Sequence, residues 1–408
     1  MKLLFVAPYV YAPEHKEHSK NKTGFGYMVY DIASGVGKQN NQVTLVAYAF
    51  GPKRRCQGFE IAENKLWQNI LFGRYKGIFR FCSELKKSST SFKSVLKGAY
   101  FYLHLGYIRH LIKKEKPDVV HIHGCTFENR ELIRMLQDLG VPYVITLHGL
   151  LQDDTAGGTP LQKQREIEMV RKGYAENIPI TVISSRMKEM FLSDYYGAER
   201  VDNVHVVTNG IPVDIPDTTY SVHEKYGIPA DKKIILVVGT LCAKKNQKQI
   251  VRAFGKMPAQ EQQDSVLLLL GTASAKYCVP EEIEKAGLQD KVICAGFVPR
   301  EELHNYYAAA HITVTASVVE GFGLSMAEGF VCGAPCVAFA DLAAIPDLYD
   351  ERAMLLCKGR SDEDLADTMR QALNRDWNKN EIMEHSLKFS LEAMSKKYQA
   401  VYEALLQP

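Results

Sequence analysis

Two carboxylates eight positions apart, Glu320 and Glu328, bracket the stretch of this chain with the clearest chemical content, Glu320-Gly321-Phe322-Gly323-Leu324-Ser325-Met326-Ala327-Glu328. Gly321 and Gly323 let a backbone turn tightly and present free N–H groups. A helix expected to begin near Leu324 adds the positive end of its dipole, so the segment suits a phosphate or pyrophosphate. Glu320, ahead of the turn, can reach the hydroxyls of a bound sugar. Glu328, about one turn into the helix, can accept from the two hydroxyls of a ribose.

A second candidate is Gly239-Thr240-Leu241-Cys242-Ala243-Lys244-Lys245-Asn246, directly after an apolar run. A lysine there meets a diphosphate as a point charge; the plainer alternative is a capped helix start with two solvated lysines. The spacing GxxxxGK[ST] is absent, so this is not a P-loop. In the first half, Gly24 and Gly26 fall in the loop after the first apolar run and permit close approach of phosphate or substrate, although the third glycine of a dinucleotide fingerprint is missing. His148-Gly149 and Asn209-Gly210 each close an apolar run, where ligands of α/β sheets gather; a structural histidine and a plain turn are the alternative readings. No strong metal cluster appears, although His121, His123 and His148 fall at neighbouring strand ends and keep a metal site open as a minor alternative; Asp153-Asp154 is a bare acidic pair, and Ser184-Ser185 lacks nucleophile-elbow spacing. No metal and no resident cofactor is expected.

Strands and helices must place these residues. Apolar runs predict strands at Leu3–Pro8, Gln42–Ala49, Asp118–His123, Tyr143–His148, Ile180–Ser184 and Val204–Thr208, with helices at Tyr27–Lys38 and Glu128–Leu139. Pro212–Tyr220, with two prolines and no apolar period, reads as a linker. The rhythm then restarts, with strands at Lys233–Gly239, Val266–Gly271, Lys291–Phe297, Ile312–Ala316, Cys336–Ala340 and Ala353–Cys357. Helices fit Gln247–Met257, Glu301–Ala309, Leu324–Cys332 and Glu363–Leu373, and Ile382–Leu406 reads as one closing amphipathic helix. The expectation is an α/β chain of two doubly wound, Rossmann-like domains, 1–214 and 215–381, facing across a cleft that holds the ligands, with 382–408 crossing back to the first.

With 408 residues, 46% hydrophobic and 24% charged, the chain is of ordinary globular composition, and disorder on a domain scale is excluded. Nine scattered cysteines without a CxxC pair read as buried thiols of a reducing compartment. MKLLFVAPYV is too short an apolar run for a secretion signal and reads as a buried strand, and no run is long enough to span a membrane. No nucleic-acid-reading motif occurs. The net charge of +3 hides an asymmetry: Lys65–Lys116 holds twelve Lys or Arg against Glu84 and Glu115, a local charge of +10, leaving about −7 elsewhere. Aromatic residues from Trp67 to Tyr107 are interleaved with the basic ones. Such a segment can lie on an anionic membrane surface or bind another polyanion; equally, it can be a solvated helical face whose aromatics pack on the sheet.

Together these residues resemble the retaining GT-B glycosyltransferases of family 4 over nearly the whole chain. The most specific part is Glu320 to Glu328 directly after a strand. Thr146-Leu147-His148-Gly149, Asn209-Gly210-Ile211, Gly239 through Asn246, Gly296-Phe297 and Phe389-Ser390-Leu391-Glu392-Ala393-Met394 support it. The resemblance implies retaining transfer of a hexose or N-acetylhexosamine from a nucleotide-diphosphate sugar to a glycan or lipid-linked acceptor, in surface polysaccharide or glycoconjugate synthesis. The cysteines and the basic segment Lys65–Lys116 add the expectation of a cytoplasmic enzyme that can lie peripherally at the inner membrane face. Glu320 would hold the donor sugar, backbone N–H groups of Gly321, Phe322, Gly323 and Leu324 the sugar and phosphate, Glu328 the ribose, and Lys245 the pyrophosphate. Backbone at Phe297 and Val298 would meet the base, and Gly239 with Thr240 would line the phosphates. His148 would lie beside the anomeric centre, and Gly24 and Gly26 near phosphates and acceptor. The sequence departs from the family at Thr240, where an arginine is usual, and at Asp341 through Asp347, where Gly-Gly before Pro-Glu is common. A small soluble acceptor, and a nucleotide-sugar binder without turnover, are the competing readings.

Overall fold

The computed structural model describes residues 1–20, 23–88, 92–124, 129–150, 163–164, 166–168, 170–171, 177–193, 196–198, 201–273 and 277–407. Asp153 and Asp154 lie outside them. The chain forms two units, Met1–Gly210 together with Leu391–Pro408, and Ile211–Ser390.

The first unit is built on β1 (Lys2–Ala7), β2 (Gln42–Ala47), β3 (Arg54–Arg55), β4 (Phe59–Ile61), β5 (Val119–His123), β6 (Tyr143–Leu147), β7 (Ile180–Val182) and β8 (Val204–Val206). Their order is β3-β4-β2-β1-β5-β6-β7-β8, parallel except for the β3–β4 pair. β1 is the apolar start of the chain; Leu3 through Ala7 are buried, as a strand covered on both faces requires. β2 and β5 flank it, so the chain reverses its direction of travel across the sheet at β1, and a crevice opens beyond the ends of β1 and β5.

Helix α1 (Gly24–Gly37) starts at that crevice, three residues earlier than the sequence predicts. The Thr23 side chain accepts from the Gly26 N–H at 3.2 Å and caps the helix, which places Gly24 and Gly26 in its first turn rather than in a loop. The basic segment becomes α2 (Leu66–Leu71), α3 (Ile78–Ser88) and α4 (Phe92–Glu115). Its aromatics divide. Phe81, Phe101, Tyr102 and Tyr107 are buried, whereas Trp67, Tyr75 and Phe79 are exposed, so α4 contributes mainly to the core and the outer surface belongs to α2 and α3. α5 (Asn129–Leu139) follows β5.

The stretch read as one closing helix is two. Lys379–Ser386 ends in a 3-10 turn, Leu387–Phe389, and a new helix runs from Leu391 to Leu406. The break falls where Ile211 pairs with the chain: its N–H donates to the Phe389 carbonyl at 2.8 Å and it bridges Ser390. The last helix packs on α1, where a Cβ on Gly35 would collide with Ser395, and on Gly210, where one would come within 2.9 Å of the Leu391 Cα.

The second unit carries β9 (Lys233–Val238), β10 (Ser265–Leu270), β11 (Val292–Gly296), β12 (Ile312–Thr315), β13 (Cys336–Phe339) and β14 (Met354–Cys357). All pairs are parallel, in the order β11-β10-β9-β12-β13-β14. β10 is buried at every position. β9 lies between β10 and β12, so the loops after β9 and β12 leave the sheet side by side at its switch point.

Candidate active site

In the second unit the two loops singled out by sequence meet. The Val318 N–H donates to the Lys244 carbonyl at 2.8 Å, joining the loop after β12 to the loop after β9. Behind them the strand ends approach closely. Gly239 and Gly271 sit at φ +143° and +141°, and a Cβ on Gly271 would come within 2.7 Å of the Gly239 carbonyl carbon. The loop then turns, with the Lys245 N–H on the Cys242 carbonyl at 3.0 Å, and a helix begins at Gln247.

Lys245 and Glu320, half-buried and 75 positions apart, form an ion pair in which the Lys245 ammonium donates to the carboxylate. The buried Ser317 hydroxyl donates to the same carboxylate at 3.2 Å. Gly323 takes a left-handed conformation, φ +85°, as the N-cap of the helix Leu324–Val331. A side chain at that φ is strained, which explains a glycine just there. The Met326 and Ala327 N–H groups donate back to the Gly323 carbonyl at 3.0 and 3.2 Å, which leaves those of Leu324 and Ser325 at the helix start as its anion-seeking end. Phe322 turns inward against Phe389, ring centres 5.7 Å apart, so only its backbone serves the loop.

One helical turn on, Glu328 accepts from the Tyr307 hydroxyl at 3.3 Å and lies 3.4 Å from the Arg300 guanidinium. Burial, with the Glu328 charge second, holds the Tyr307 phenol well above its ordinary value. Phe297 is exposed just past the end of β11, and Val298 packs against the core. Thr240 is exposed, and its carbonyl accepts from the Gln247 amide at 3.0 Å.

Sequence reasoning missed Arg360, three residues beyond β14. Its guanidinium grips Asp341 through two bonds of 2.9 and 2.7 Å, donates to the Ser317 carbonyl at 3.1 Å and lies 4.5 Å from the Phe339 ring centre. Arg360 holds the Asp341 carboxyl below its usual value. Asp341, a point of departure from the family, is therefore the anchor of a cation that reaches the loop carrying Glu320.

In the first unit, Gly24, Gly26 and His148 come together through Phe25, whose ring lies edge-on to His148 at 4.8 Å. His148 is hydrogen-bonded through Nε2 to Nδ1 of the fully buried His123 at 3.1 Å. His121 stacks on His123 at 4.1 Å and bonds Tyr402 at 2.7 Å and Thr146 at 2.5 Å. The three histidines thus form a hydrogen-bonded and stacked chain in which most ring nitrogens are engaged. Burial lowers the His148 pKa to about 4 and pushes His121 and His123 well below the ordinary value, so all three are neutral near pH 7. The only group among the described residues with metal-ligand proximity is another, Glu14, His15 and Cys56, whose ligand atoms lie within 4.8 Å of one another. Chain separation hid it from the sequence.

The second unit can therefore set a cation, a carboxylate and a helix start around a diphosphate and its sugar, and the first unit offers a neutral imidazole beside a glycine-opened helix start. Comparison with known proteins supplies the family. The family model described as Glycosyltransferase Family 4 matches residues 23–215, and that described as Glycosyl transferases group 1 matches residues 220–388. A D-inositol 3-phosphate glycosyltransferase of Xylanimonas cellulosilytica is 31% identical over 55% of this chain, and the match spans only 55% of that relative. An alpha-monoglucosyldiacylglycerol synthase of Streptococcus pneumoniae is 24% identical over 72% of this chain and 67% of its own length. Sucrose-phosphate synthase from Thermosynechococcus elongatus superimposes with a TM-score of 0.72 at 17% identity, covering 99% of both chains. Anabaena HepE in complex with UDP and glucose does so with a TM-score of 0.69 at 15% identity, covering 99% of this chain and 100% of that one. Both likenesses are of fold, and the fold is GT-B. The two matched family segments, the GT-B architecture and the loops at the second switch point agree: the chain belongs to glycosyltransferase family 4, of the glycosyl transferases group 1.

Proposed function

We propose that this chain transfers a hexose or N-acetylhexosamine, with retention, from a nucleotide-diphosphate sugar to a glycan or lipid-linked acceptor. The observation that carries the reading is the Lys245–Glu320 pair beside the Gly323-capped helix start. A diphosphate settling on that start takes a share of the Lys245 charge, and Glu320 keeps a carboxylate for the sugar hydroxyls. Glu328, already oriented by Tyr307 and Arg300, receives the ribose. The bond from the anomeric carbon to the leaving phosphate oxygen breaks and the bond to the acceptor oxygen forms on the same face. The acceptor proton passes to the departing phosphate. Lys245 and the helix start stabilise the negative charge that gathers there. Arg360, paired with Asp341, braces the same loop through the Ser317 carbonyl.

The acceptor divides the relatives. The name of the Streptococcus relative supports a lipid acceptor, and that of the Xylanimonas relative supports a small soluble one. A lipid-linked acceptor is favoured by the surface of α2 and α3, where Leu66, Trp67, Ile70, Leu71 and Phe79 are exposed among basic residues. Such a surface suits reversible attachment to an anionic membrane from the cytoplasmic side; no helix among the described residues is long and apolar enough to cross one. Incubation with a panel of nucleotide sugars and with diacylglycerol, polyprenyl-phosphate sugars or inositol phosphates tests the reading. Transfer to a lipid acceptor supports it, and transfer to the soluble ones alone replaces it with the second reading.

A further inference from the structure

A cavity of about 650 Å³ opens on the first unit between the turn joining α2 to α3 and the facing sides of α4 and α5. Its wall is fixed by close packing. Gly106 of α4 lets the turn lie directly on the helix, since a Cβ there would come within 2.6 Å of the Arg74 nitrogen. Gly77, at φ +90°, passes beside Tyr102, whose hydroxyl donates to the Lys76 carbonyl at 2.8 Å. The Arg74 guanidinium lies 5.1 Å from the Tyr102 ring centre. Two glycines and one tyrosine therefore hold the backbone that presents Arg74 and Lys76.

The lining is cationic. Arg74, Lys76, Arg80, Arg109 and Arg134 line it alongside two acidic residues, Glu131 and Asp138. Glu131 is buried and lies 2.7 Å from Arg134 and 3.5 Å from Arg74, so it orders two guanidiniums without cancelling the site. Among the described residues Lys76 and Arg109 have no carboxylate partner. Phe72, Phe81 and Met135 give the cavity an apolar part. Forked guanidiniums match the oxygens of a phosphate, and an apolar wall beside them suits the carbon skeleton of its ester. The volume lies within the range of small-ligand sites. Leu71, Tyr75 and Phe79, interleaved in sequence with the lining residues, are 65%, 54% and 89% exposed.

We propose that this cavity binds a phosphate ester, carried by a membrane lipid or by a soluble molecule. The site uses no residue of the donor loops and stands whether or not the chain transfers sugar. It rests on the membrane reading only for the first of the two sources.

The test compares the full chain with two charge-matched double variants: Lys76→Gln with Arg109→Gln in the cavity, and Lys113→Gln with Lys114→Gln further along α4. Three probes are used: glycerol 1-phosphate by titration calorimetry, phosphatidylcholine vesicles containing phosphatidylglycerol by co-sedimentation, and vesicles of equal surface charge made with oleate. The cavity variant is expected to lose about tenfold or more in affinity for the phosphate-bearing probe, while the control changes less than about twofold. Preference for phosphatidylglycerol over both oleate and glycerol 1-phosphate assigns the site to a lipid; comparable binding of glycerol 1-phosphate assigns it to a soluble ester. No binding of either phosphate probe overturns the proposal. So does equal weakening of the two variants, or oleate vesicles bound as well as phosphatidylglycerol ones, since either result reports diffuse charge. Nucleotide-sugar binding, followed in the same variants, is expected to stay unchanged, which separates failure of the cavity from failure of the donor site.

Discussion

At the scale of single residues, Lys245 and Glu320 are held to each other, so a change in either alters both. Lys245→Ala removes a charged donor from the diphosphate and leaves the Glu320 carboxylate without its counter-ion. Loss of a charged hydrogen bond costs about 1.5–3 kcal/mol, and the affinity for a nucleoside diphosphate, read by calorimetry, is expected to fall by about tenfold or more; an unchanged affinity removes Lys245 from the phosphate site. The two glutamates separate under the same titration, because a free nucleoside diphosphate contains ribose and no transferred sugar. Glu328→Gln weakens it, whereas Glu320→Gln chiefly lowers transfer and sugar discrimination, and equal losses in both would reject the assignment. These residues were legible because Glu320 and Glu328 share one short motif and Lys245 follows one strand. Arg360 and His123 were not read as site residues. Arg360 reaches Ser317 from the loop after β14, and His123 meets the site through its bond to His148, which no spacing in the chain reveals.

At the scale of elements, capping and close packing decided where sequence patterns stopped. Two glycines argued against a helix start at Gly24, but the Thr23 cap outweighed their poor propensity and moved both into α1. α4 was illegible because apolar side chains occur on nearly all sides of it, which erases the helical period. β3 and β4 were too short to show an alternation. β5 and β6 carry a chemical signature of their own. His123 and His148 are kept neutral by burial, whereas the same side chains in an unfolded chain titrate near 6.5. As pH falls through 6.5 toward about 4, the unfolded state takes up protons that the folded His148 refuses, so stability is lost on the acid side. The buried His104, with a pKa lowered to about 3, acts in the same direction. The urea midpoint of unfolding is therefore expected to decline from pH 7 to pH 4.5, and His148→Gln should flatten that decline; a midpoint independent of pH would contradict burial of these imidazoles in neutral form.

At the scale of the whole molecule, the alternation of strands and helices disclosed two parallel sheets, but not the order of strands within them, since parallel strands can be permuted without changing the pattern. The order is what creates the two switch points, at β1 in one unit and β9 in the other, and the candidate residues cluster at both. On the proposed reading Lys245 and the helix start supply the positive charge for a diphosphate, so turnover is expected to persist within a few-fold after exhaustive chelation. Activity lost on chelation and restored by magnesium or manganese would show that these groups do not suffice. The central claim, that the chain moves a sugar from a nucleotide diphosphate with retention, is tested most directly by offering a panel of nucleotide sugars with lipid and soluble acceptors and reading the anomeric configuration of the product by proton NMR. An axial donor linkage is expected to give an axial product, with Lys245→Ala slowing its formation. A product of inverted configuration, or neither transfer nor binding with any nucleotide sugar, would contradict the account.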